Sequence, residues 1–402
     1  MSYMRRTMVG LIGIAALLAA TSVAYAGSPT SNSQIETQWS AFQASNVSSL
    51  AKAEETAEVY GELPLETSMS HQLVSPHFLM VPGTASVAYA LGRAQVFFQS
   101  WSDWGVWAQS FDYTPQISQG VVSGNTATVR IMPSATEVLG PSGTESNFPA
   151  VWHTLTLQQV DGQWLISNDS YSDDASSAFG PNPDWSALIS STHSDDMAAI
   201  KAAATPAVRP QAPAGANNVV YYYPNRSAGV SYAEQYADNY NSLFKSYAPD
   251  DCADFVNQSI WAEFGGVNTS TAINGHWAPM LDNDPVGGIN WWADSTSTDP
   301  DWFWTYTNAL KSDDEYNYNN NAIGVQGTPE NINTVQAGDW VWQQPASDVP
   351  HVLFVTGAGS PASWSNIYVS AHTNNVDNVW IGNVYGSQSD VGFEAIVGYR
   401  AQ

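Results

Sequence analysis

The chain has 402 residues, with 37 acidic side chains, 11 lysines and arginines and a formal net charge of −26. This excess of negative charge excludes nucleic acid and anionic membrane surfaces as favourable partners, because both would be repelled at neutral pH. Charged residues make up 12% of the chain, against about 25% in an average protein, and the shortage falls on the basic residues. Since carboxyl groups lose their charge in acid, this composition predicts a protein that works in an acidic medium.

The first 26 residues have the pattern of a secretory signal peptide. Arg5 and Arg6 precede an apolar run over residues 8–23, and the A-Y-A sequence at 24–26 provides a cleavage site. We expect cleavage after Ala26 and a secreted, extracellular protein. No later stretch approaches the roughly 20 apolar residues of a membrane span, so we expect no membrane insertion after cleavage.

A segment rich in alanine and proline divides the mature chain into two parts. Residues 205–216 read T-P-A-V-R-P-Q-A-P-A-G-A and lack the apolar period of a helix or a strand. The mature chain is also too long for one core on ordinary size statistics. We therefore predict a domain over residues 34–195, an Ala/Pro-rich linker over 196–217 and a second domain over 218–402.

The first domain is predicted to have an α+β fold. Helical patterning over residues 34–59 and 85–98 is followed by strand patterning over 116–132. The Asp161-Gly162 pair lies between two alternating apolar stretches and predicts a hairpin. Helices followed by a curved antiparallel sheet resemble the cone-shaped domains of the SnoaL and nuclear-transport-factor kind.

The second domain is also predicted to be α+β, with helices first and a sheet after them. Helical spacing over residues 227–247 is followed by a second helix that ends at Gly265-Gly266. A long stretch over residues 268–333 is dense in Asn, Asp, Gly, Trp and Tyr and is predicted to be irregular. The predicted strands are residues 339–343, 351–356, 366–372, 379–384 and 392–400.

Cys252 is the only cysteine of the chain and lies in residues 250–258, D-D-C-A-D-F-V-N-Q. Aspartate is a favoured N-cap residue, so Cys252 is predicted to lie in the first turn of a helix. Free backbone N–H groups at that end stabilise a thiolate, whereas Asp250, Asp251 and Asp254 oppose its formation. The cysteine is either a nucleophile with a cationic partner or a buried residue that only packs.

Two histidines on the predicted strands could supply that partner. Alternation places His351 on one face with Leu353 and Val355, a face that could meet the cysteine helix. A thiol, an imidazole base and a third polar group form the constellation needed for acyl transfer through a thioester. The third group, which orients the imidazole, would be His372, Asn374 or a neighbour; we favour His372.

Several linked motifs resemble the amidase domain family of the papain-like NlpC superfamily of cysteine hydrolases. The family's D-C-T-N-F-V-S-Q stretch is matched at five positions: Asp251, Cys252, Phe255, Val256 and Gln258. Its tyrosine-rich helix resembles residues 232–241, and its G-D-W step resembles residues 338–340. Its histidine strand resembles residues 351–356, and its A-H-T resembles residues 371–373. Ala253, Asp254 and Asn257 replace the family's threonine, asparagine and serine, and the carboxyl of Asp254 favours work in acid, where it is protonated.

The resemblance implies a papain-like α+β domain, in which the cysteine helix packs on an antiparallel sheet, and hydrolysis of an amide bond. It gives Cys252 the role of nucleophile, His351 that of general base and His372 that of orienting residue. Tyr240 and Asp251 are further candidates for holding the oxyanion or orienting the site. Peptides of bacterial cell walls are the implied substrates. The alternative function is a catalytically silent extracellular module that binds a surface or matrix.

The irregular stretch contributes the remaining candidates. Trp291, Trp292 and Trp302, together with Trp304, could form an aromatic substrate groove or could simply cover the sheet, and packing is favoured. The acidic runs at residues 282–284 and 313–315 lack the ligand spacing of a calcium loop and are predicted to be solvated turns. We predict no metal and no cofactor.

Overall fold

The computed structural model describes residue 36 and residues 49–140, 143–148, 151–171, 173–204, 207–211, 221–247, 251–266, 302–343, 351–372 and 376–400. Its helices are α1 (Ser49–Ser70), α2 (Ala85–Trp104), α3 (Asp174–Phe179), α4 (Trp185–Ala203), α5 (Arg226–Tyr236), α6 (Cys252–Glu263), α7 (Trp302–Thr305), α8 (Thr307–Asn320) and α9 (Ile381–Val384). Its strands are β1 (Trp107–Tyr113), β2 (Gln116–Ser123), β3 (Thr126–Met132), β4 (Ala135–Gly140), β5 (Thr144–Phe148), β6 (His153–Val160), β7 (Gln163–Ser170), β8 (Tyr221–Tyr222), β9 (Gly324–Glu330), β10 (Trp340–Gln343), β11 (Val352–Ala358), β12 (Ile367–Ala371), β13 (Val376–Trp380) and β14 (Val391–Arg400).

These elements confirm the α+β class, and the chain divides into two compact units. The first unit comprises residues 1–98, 115–132 and 153–170, and the second comprises residues 99–114, 133–152 and 171–402. The predicted signal peptide over residues 1–26 lies outside the described part of the chain. Within that part, no helix is both long enough and apolar enough to cross a bilayer.

The first unit is built on a four-stranded antiparallel sheet in the order β2-β3-β6-β7, against which α1 packs. The predicted hairpin between β6 and β7 is confirmed, because Val160 pairs with Gln163 across the turn. Asp161 and Gly162 both have positive φ values, of 50° and 84°, which is the requirement of a type I′ turn. The core between α1 and this sheet contains Ala53, Ala57, Val129, Leu155 and Trp164.

The second unit contains a seven-stranded sheet in the order β13-β12-β11-β10-β14-β8, and β9 also pairs with β14. The described strand pairings of this sheet are antiparallel, as the family resemblance implied. The unit also contains a three-stranded antiparallel sheet, β1-β4-β5. Helices α5 and α6 both pack against β11.

Several sequence predictions in this unit are wrong. The stretch over residues 268–333 is not irregular in its described part, because it contains α7, α8 and β9. Helix α8 was missed because its sequence is mostly polar. The acidic run at residues 313–315 was predicted to be a solvated turn, but it lies on this helix, and Asp313 and Asp314 are buried. Residues 381–384 form α9 rather than a strand, since β13 ends at Trp380.

A buried cluster of ionic side chains connects the predicted linker to the second unit. The Arg209 guanidinium donates two hydrogen bonds to the Asp339 carboxylate, from Nη1 to Oδ2 at 2.8 Å and from Nη2 to Oδ1 at 2.6 Å. Arg226 donates to Oδ1 of the same group at 2.8 Å. The backbone N–H groups of Gln336 and Ile396 also donate to it. Asp339 therefore holds four separate segments of the unit together.

We expect Asp339→Asn to lower the free energy of unfolding by about 3–5 kcal/mol, because it removes a fully buried carboxylate that is the main counter-charge of two half-buried guanidinium groups. Urea denaturation of the full chain measures this change. Asp112→Asn is the matched control, since Asp112 is exposed on β1 and should cost less than about 0.5 kcal/mol. A cost below about 1 kcal/mol for Asp339→Asn would contradict the central role of this carboxylate.

Candidate active site

Cys252 is the first residue of α6, which confirms its predicted place at a helix N-terminus. Its side chain lies in the hydrophobic cluster between the helices and the sheet, and only 7% of the residue is exposed. Asp251 is the N-cap residue, yet its carboxylate makes no capping hydrogen bond to the helix. The first backbone N–H groups of α6 are therefore not occupied by the Asp251 side chain, and they add positive potential beside the sulfur.

The Asp251 carboxylate instead holds His372. Nδ1 of His372 lies 2.5 Å from Oδ2 of Asp251, and Nε2 lies 2.8 Å from the backbone oxygen of Tyr236. Oδ1 of Asp251 accepts a hydrogen bond from the Tyr247 backbone N–H at 2.5 Å. A carboxylate and a carbonyl are both acceptors, so each nitrogen of the His372 ring faces a group that can accept a hydrogen bond from it.

Two aromatic side chains fix the plane of the His372 ring. The rings of Tyr240 and Phe255 each lie with their centroids 4.3 Å from the imidazole centroid. Phe255 comes from α6, one turn after Cys252, so the same helix carries the thiol and one of the ring contacts. An aromatic face also stabilises a positively charged ring. Asp251, Cys252 and His372 are all buried, and the Asp251–His372 pair lies at the start of α6, where Cys252 is the first residue.

The strand register places His351 and His372 differently with respect to α6. Phe354 pairs with Ser370, and the same register continued by two residues brings His372 opposite Val352. Val352 and Phe354 lie in the cluster with Cys252, so their face of β11 is the one that packs on α6. The Gln343 N–H donates to the His351 carbonyl at 2.9 Å, which continues the pairing of β10 with β11. Alternation therefore places His351 on the other face, with Leu353.

Tyr240 was predicted as a possible oxyanion donor, and its described contact is the packing of its ring, tilted by 43°, against His372. The residue is 41% exposed, so one side of its ring borders solvent beside the imidazole. Burial, followed by the negative charges of Asp251 and Asp254, raises the pKa of its hydroxyl. The neutral phenol can donate a hydrogen bond at ordinary pH. Its role at the oxyanion stays a prediction.

Asp254, the carboxyl that departs from the family pattern, lies in a buried hydrogen-bond network behind the cysteine. The indole N–H of Trp304 donates to its Oδ1, and Gln258 Nε2 donates to its Oδ2 at 2.6 Å. The Tyr232 hydroxyl donates to Gln258 in turn. Burial, followed by the charge of Asp251, raises the pKa of Asp254 well above its usual range. This supports the prediction that the group is protonated in acid.

Of the four tryptophan candidates, one packs in the core and two lie outside the described residues. Trp304 is buried, and its ring stacks with that of Phe244 at a centroid distance of 6.2 Å, which confirms the packing interpretation for this residue. Trp291 and Trp292 lie outside the described residues. Trp302 starts α7, and only its backbone is described.

Sequence reasoning missed the contacts that complete the site. The Tyr236 carbonyl and the Phe255 ring were not expected as partners of His372, since both contacts join segments far apart in the chain. The Gln258 contact with Asp254 could have been found, because residues four apart on a helix lie on the same face. The pairing of Asp251 with His372 joins residues 121 positions apart and had no local signal.

Comparison with known proteins supports an amidase-like second unit. Residues 223–394 match the model of the family described as "Putative amidase domain". This range contains Asp251, Cys252, His351 and His372. No curated protein matches the chain.

Solved structures give weak matches to about a third of the chain. The intermembrane space region of the chloroplast protein ARC6 has 14% identity and a TM-score of 0.24, covering 31% of this chain and 97% of that one. A "putative dehydratase from the NTF2-like family" of Streptomyces avermitilis has 10% identity and a TM-score of 0.22, with coverages of 30% and 95%. A "Putative Scytalone Dehydratase" of Novosphingobium aromaticivorans has 16% identity and a TM-score of 0.22, with coverages of 30% and 80%. The α+β description of this protein rests on its own helices and strands.

Proposed function

We propose that this protein is a secreted cysteine amidase that cleaves amide bonds through a thioester on Cys252. The observation that carries the proposal is the His372 imidazole, which hydrogen-bonds Asp251 directly beside the cysteine at the N-terminus of α6. A thiol, an imidazole and a carboxylate that orients the imidazole are the nucleophile, base and orienting group of such a mechanism, and here the carboxylate belongs to the residue that precedes Cys252. The amidase family match over residues 223–394 supports the same reaction class.

In this mechanism His372 starts as a neutral imidazole with its proton on Nδ1, towards Asp251; Nε2 turns from the Tyr236 carbonyl and takes the thiol proton of Cys252, which leaves a thiolate and an imidazolium. The thiolate attacks the carbonyl carbon of the substrate, and the carbonyl electrons move to oxygen. The Cys252 backbone N–H, in the first turn of α6, donates to that oxyanion. Asp251 keeps Nδ1 of the ring occupied, so Nε2 then protonates the departing amine.

Loss of the amine breaks the C–N bond and leaves an acyl group on the Cys252 sulfur. A water molecule then attacks the thioester while His372 accepts its proton. The C–S bond breaks, the carboxylic acid departs and the thiol is restored. No electron transfer is needed, and the net reaction is the addition of one water to an amide.

The family resemblance assigns the base role to His351 and the orienting role to His372, and both roles stay predictions. The strand register favours His372 as the base and Asp251 as the orienting group, because they contact each other beside Cys252. His351 directly precedes β11, and continued alternation would place its side chain on the face of that strand away from α6. The two assignments differ in which histidine Cys252 needs for its reactivity.

Peptide amides of bacterial cell walls are the proposed substrate class, and export through the signal peptide would bring the enzyme to them. The mature full chain should be incubated with soluble muropeptides between pH 4 and pH 8, and the products analysed by mass spectrometry. We expect one peptide to divide into two fragments that together contain one added water. We expect Cys252→Ser to lower the rate at least 1,000-fold.

Equal turnover by the wild type and the Cys252→Ser variant would overturn the cysteine mechanism. If muropeptides stay intact, a mixed library of short peptides and acyl amides tests the wider amidase proposal. Binding of muropeptides without cleavage of either set would instead favour the alternative, a silent extracellular binding module.

A further inference from the structure

One edge of the large sheet is closed by side chains from the first half of the sequence. Strand β13 pairs with β12 on one side and packs against β5 on the other. The Trp380 backbone N–H donates to Oγ of Ser146 at 2.7 Å, and Nδ2 of Asn147 donates to the Asp377 carbonyl at 2.8 Å. Side chains of β5 therefore satisfy backbone groups that an edge strand would otherwise expose.

Two more buried contacts extend this junction to α9. Nδ2 of Asn383 donates to Oε1 of Glu137, which lies on β4. The Trp101 indole N–H donates to the Gly382 carbonyl at 3.3 Å. Glu137 is 1% exposed, so this contact lies in the interior of the second compact unit rather than on its surface. We call β1, β4 and β5 together the support sheet.

A short path leads from the support sheet to the candidate active site. Strand β13 pairs with β12 through Tyr368, Val369 and Ala371, and the pairing has an irregularity before Ala371. His372 follows Ala371 directly. An irregular pairing leaves fewer regular backbone bonds in the hairpin, so β12 and β13 depend more on what holds their outer edge.

We propose that the support sheet is a positioning element, which holds the β12–β13 hairpin and thereby sets the place of His372. The first half of the sequence then contributes directly to the catalytic unit through β1, β4 and β5. The structural part of this inference, the support of the hairpin, is independent of the proposed function. The effect on His372 rests on the proposed function, because it assumes that this histidine serves Cys252.

The Glu137–Asn383 contact allows a test that keeps side-chain size almost unchanged. Asn383→Asp places two carboxyl groups against each other and removes the amide donor. The double variant Glu137→Gln with Asn383→Asp reverses donor and acceptor across the same contact and restores the hydrogen bond. At pH 8 we expect backbone hydrogen exchange in β12, β13 and α9 to become about tenfold faster in the single variant and to return to the wild-type rate in the double variant.

The second readout is the pH dependence of Cys252 alkylation in the same proteins. Only the thiolate reacts, so displacement of His372 should move the profile towards higher pH in Asn383→Asp and back again in the double variant. Thermal melting of each variant shows whether the whole chain has remained folded. Ser146→Ala should speed exchange at the Trp380 amide, whereas Ser110→Ala, on the exposed side of β1, is the matched control and should not.

Exchange rates equal to wild type in Asn383→Asp and Ser146→Ala would overturn the support of the hairpin. Faster exchange with an unchanged alkylation profile would overturn the positioning of His372. If His372→Ala itself leaves Cys252 alkylation unchanged, the proposed role of that histidine fails. The exchange result still decides whether the support sheet holds the hairpin.

Discussion

Alkylation of Cys252 at pH 5 is expected to slow about 100-fold in His372→Ala and to change less than about threefold in His351→Ala. A thiol with the ordinary pKa of about 8.5 is roughly one part in 3,000 thiolate at this pH, whereas a thiolate paired with an imidazolium is largely ionised. A thiolate of lower pKa is also less nucleophilic, and this removes about half of the increase in the logarithm of the rate that the larger thiolate fraction would give. A net factor of about 100 remains. Iodoacetamide labelling followed by mass spectrometry measures it, and needs no substrate.

The chain offers a control and two contrary outcomes for this experiment. His77→Ala should label like the wild type, since His77 is an exposed residue of the first unit. Slow labelling in His351→Ala with normal labelling in His372→Ala would give the base role to His351, as the sequence predicted. Slow labelling in all proteins at pH 5, with a single rise near pH 8.5, would leave Cys252 an ordinary thiol and favour the binding module.

The melting temperature of the full chain is expected to fall by about 10 °C or more between pH 5 and pH 9. Burial, followed by the charges of Glu66 and Glu58, raises the pKa of Glu62 to about 8. Burial likewise raises the pKa of Glu137 to about 8, against the effect of its bond from Asn383. The pKa of Asp390 is raised to about 7, again mainly by burial.

The melting temperature is expected to fall with rising pH because the pKa values of these carboxyl groups are raised in the folded protein. A carboxyl with a raised pKa in the folded protein binds its proton more tightly there than in the unfolded chain. The stability that this carboxyl contributes is complete below its pKa in the unfolded chain, about 4.5, and is lost as the pH rises to its pKa in the folded protein. Each pKa unit corresponds to about 1.4 kcal/mol, so Glu62 and Glu137 can each remove several kcal/mol between about pH 4.5 and pH 8.

A single substitution separates this effect from general charge repulsion. Glu62→Gln should raise the melting temperature at pH 9 by about 3 °C or more and leave it nearly unchanged at pH 5, because the amide cannot ionise. Glu145→Gln removes the same charge from an exposed position on β5 and should have little effect at either pH. A melting temperature that rises from pH 5 to pH 9 would contradict the acid-medium prediction.

The parts of the fold that could be predicted are those with a strong local pattern. The Asp161-Gly162 turn needs two positive φ values, and few sequences other than this pair favour them. The helix that starts at Cys252 was predicted from the apolar residues that follow at helical spacing, although Asp251 does not make the capping hydrogen bond that was expected of it. Strands β10, β11, β12 and β14 have apolar residues on both faces, as expected for a sheet covered on both sides.

The parts that could not be predicted depend on contacts between distant segments. Strand β9 carries few apolar side chains and pairs with β14 mainly through its backbone. The hydrogen bond from the Trp380 backbone N–H to Ser146 could not be predicted, because it involves a single polar side chain and has no periodic pattern in the sequence. The pairing of Asp251 with His372 was missed for the same reason, although both residues were identified as candidates.

Arg209 shows that sequence similarity and folding need not begin at the same residue. The match to the amidase family starts at residue 223, but Arg209 lies upstream of it and neutralises Asp339 and Glu330 inside the second unit. A chain shortened to the similar region would keep three buried acids, Glu263, Glu330 and Asp339, beside Arg226 alone. The segment recognised by comparison is therefore shorter than the segment that supplies the positive partners of Asp339, and a protein engineer moving this domain elsewhere would have to carry residues 207–211 with it.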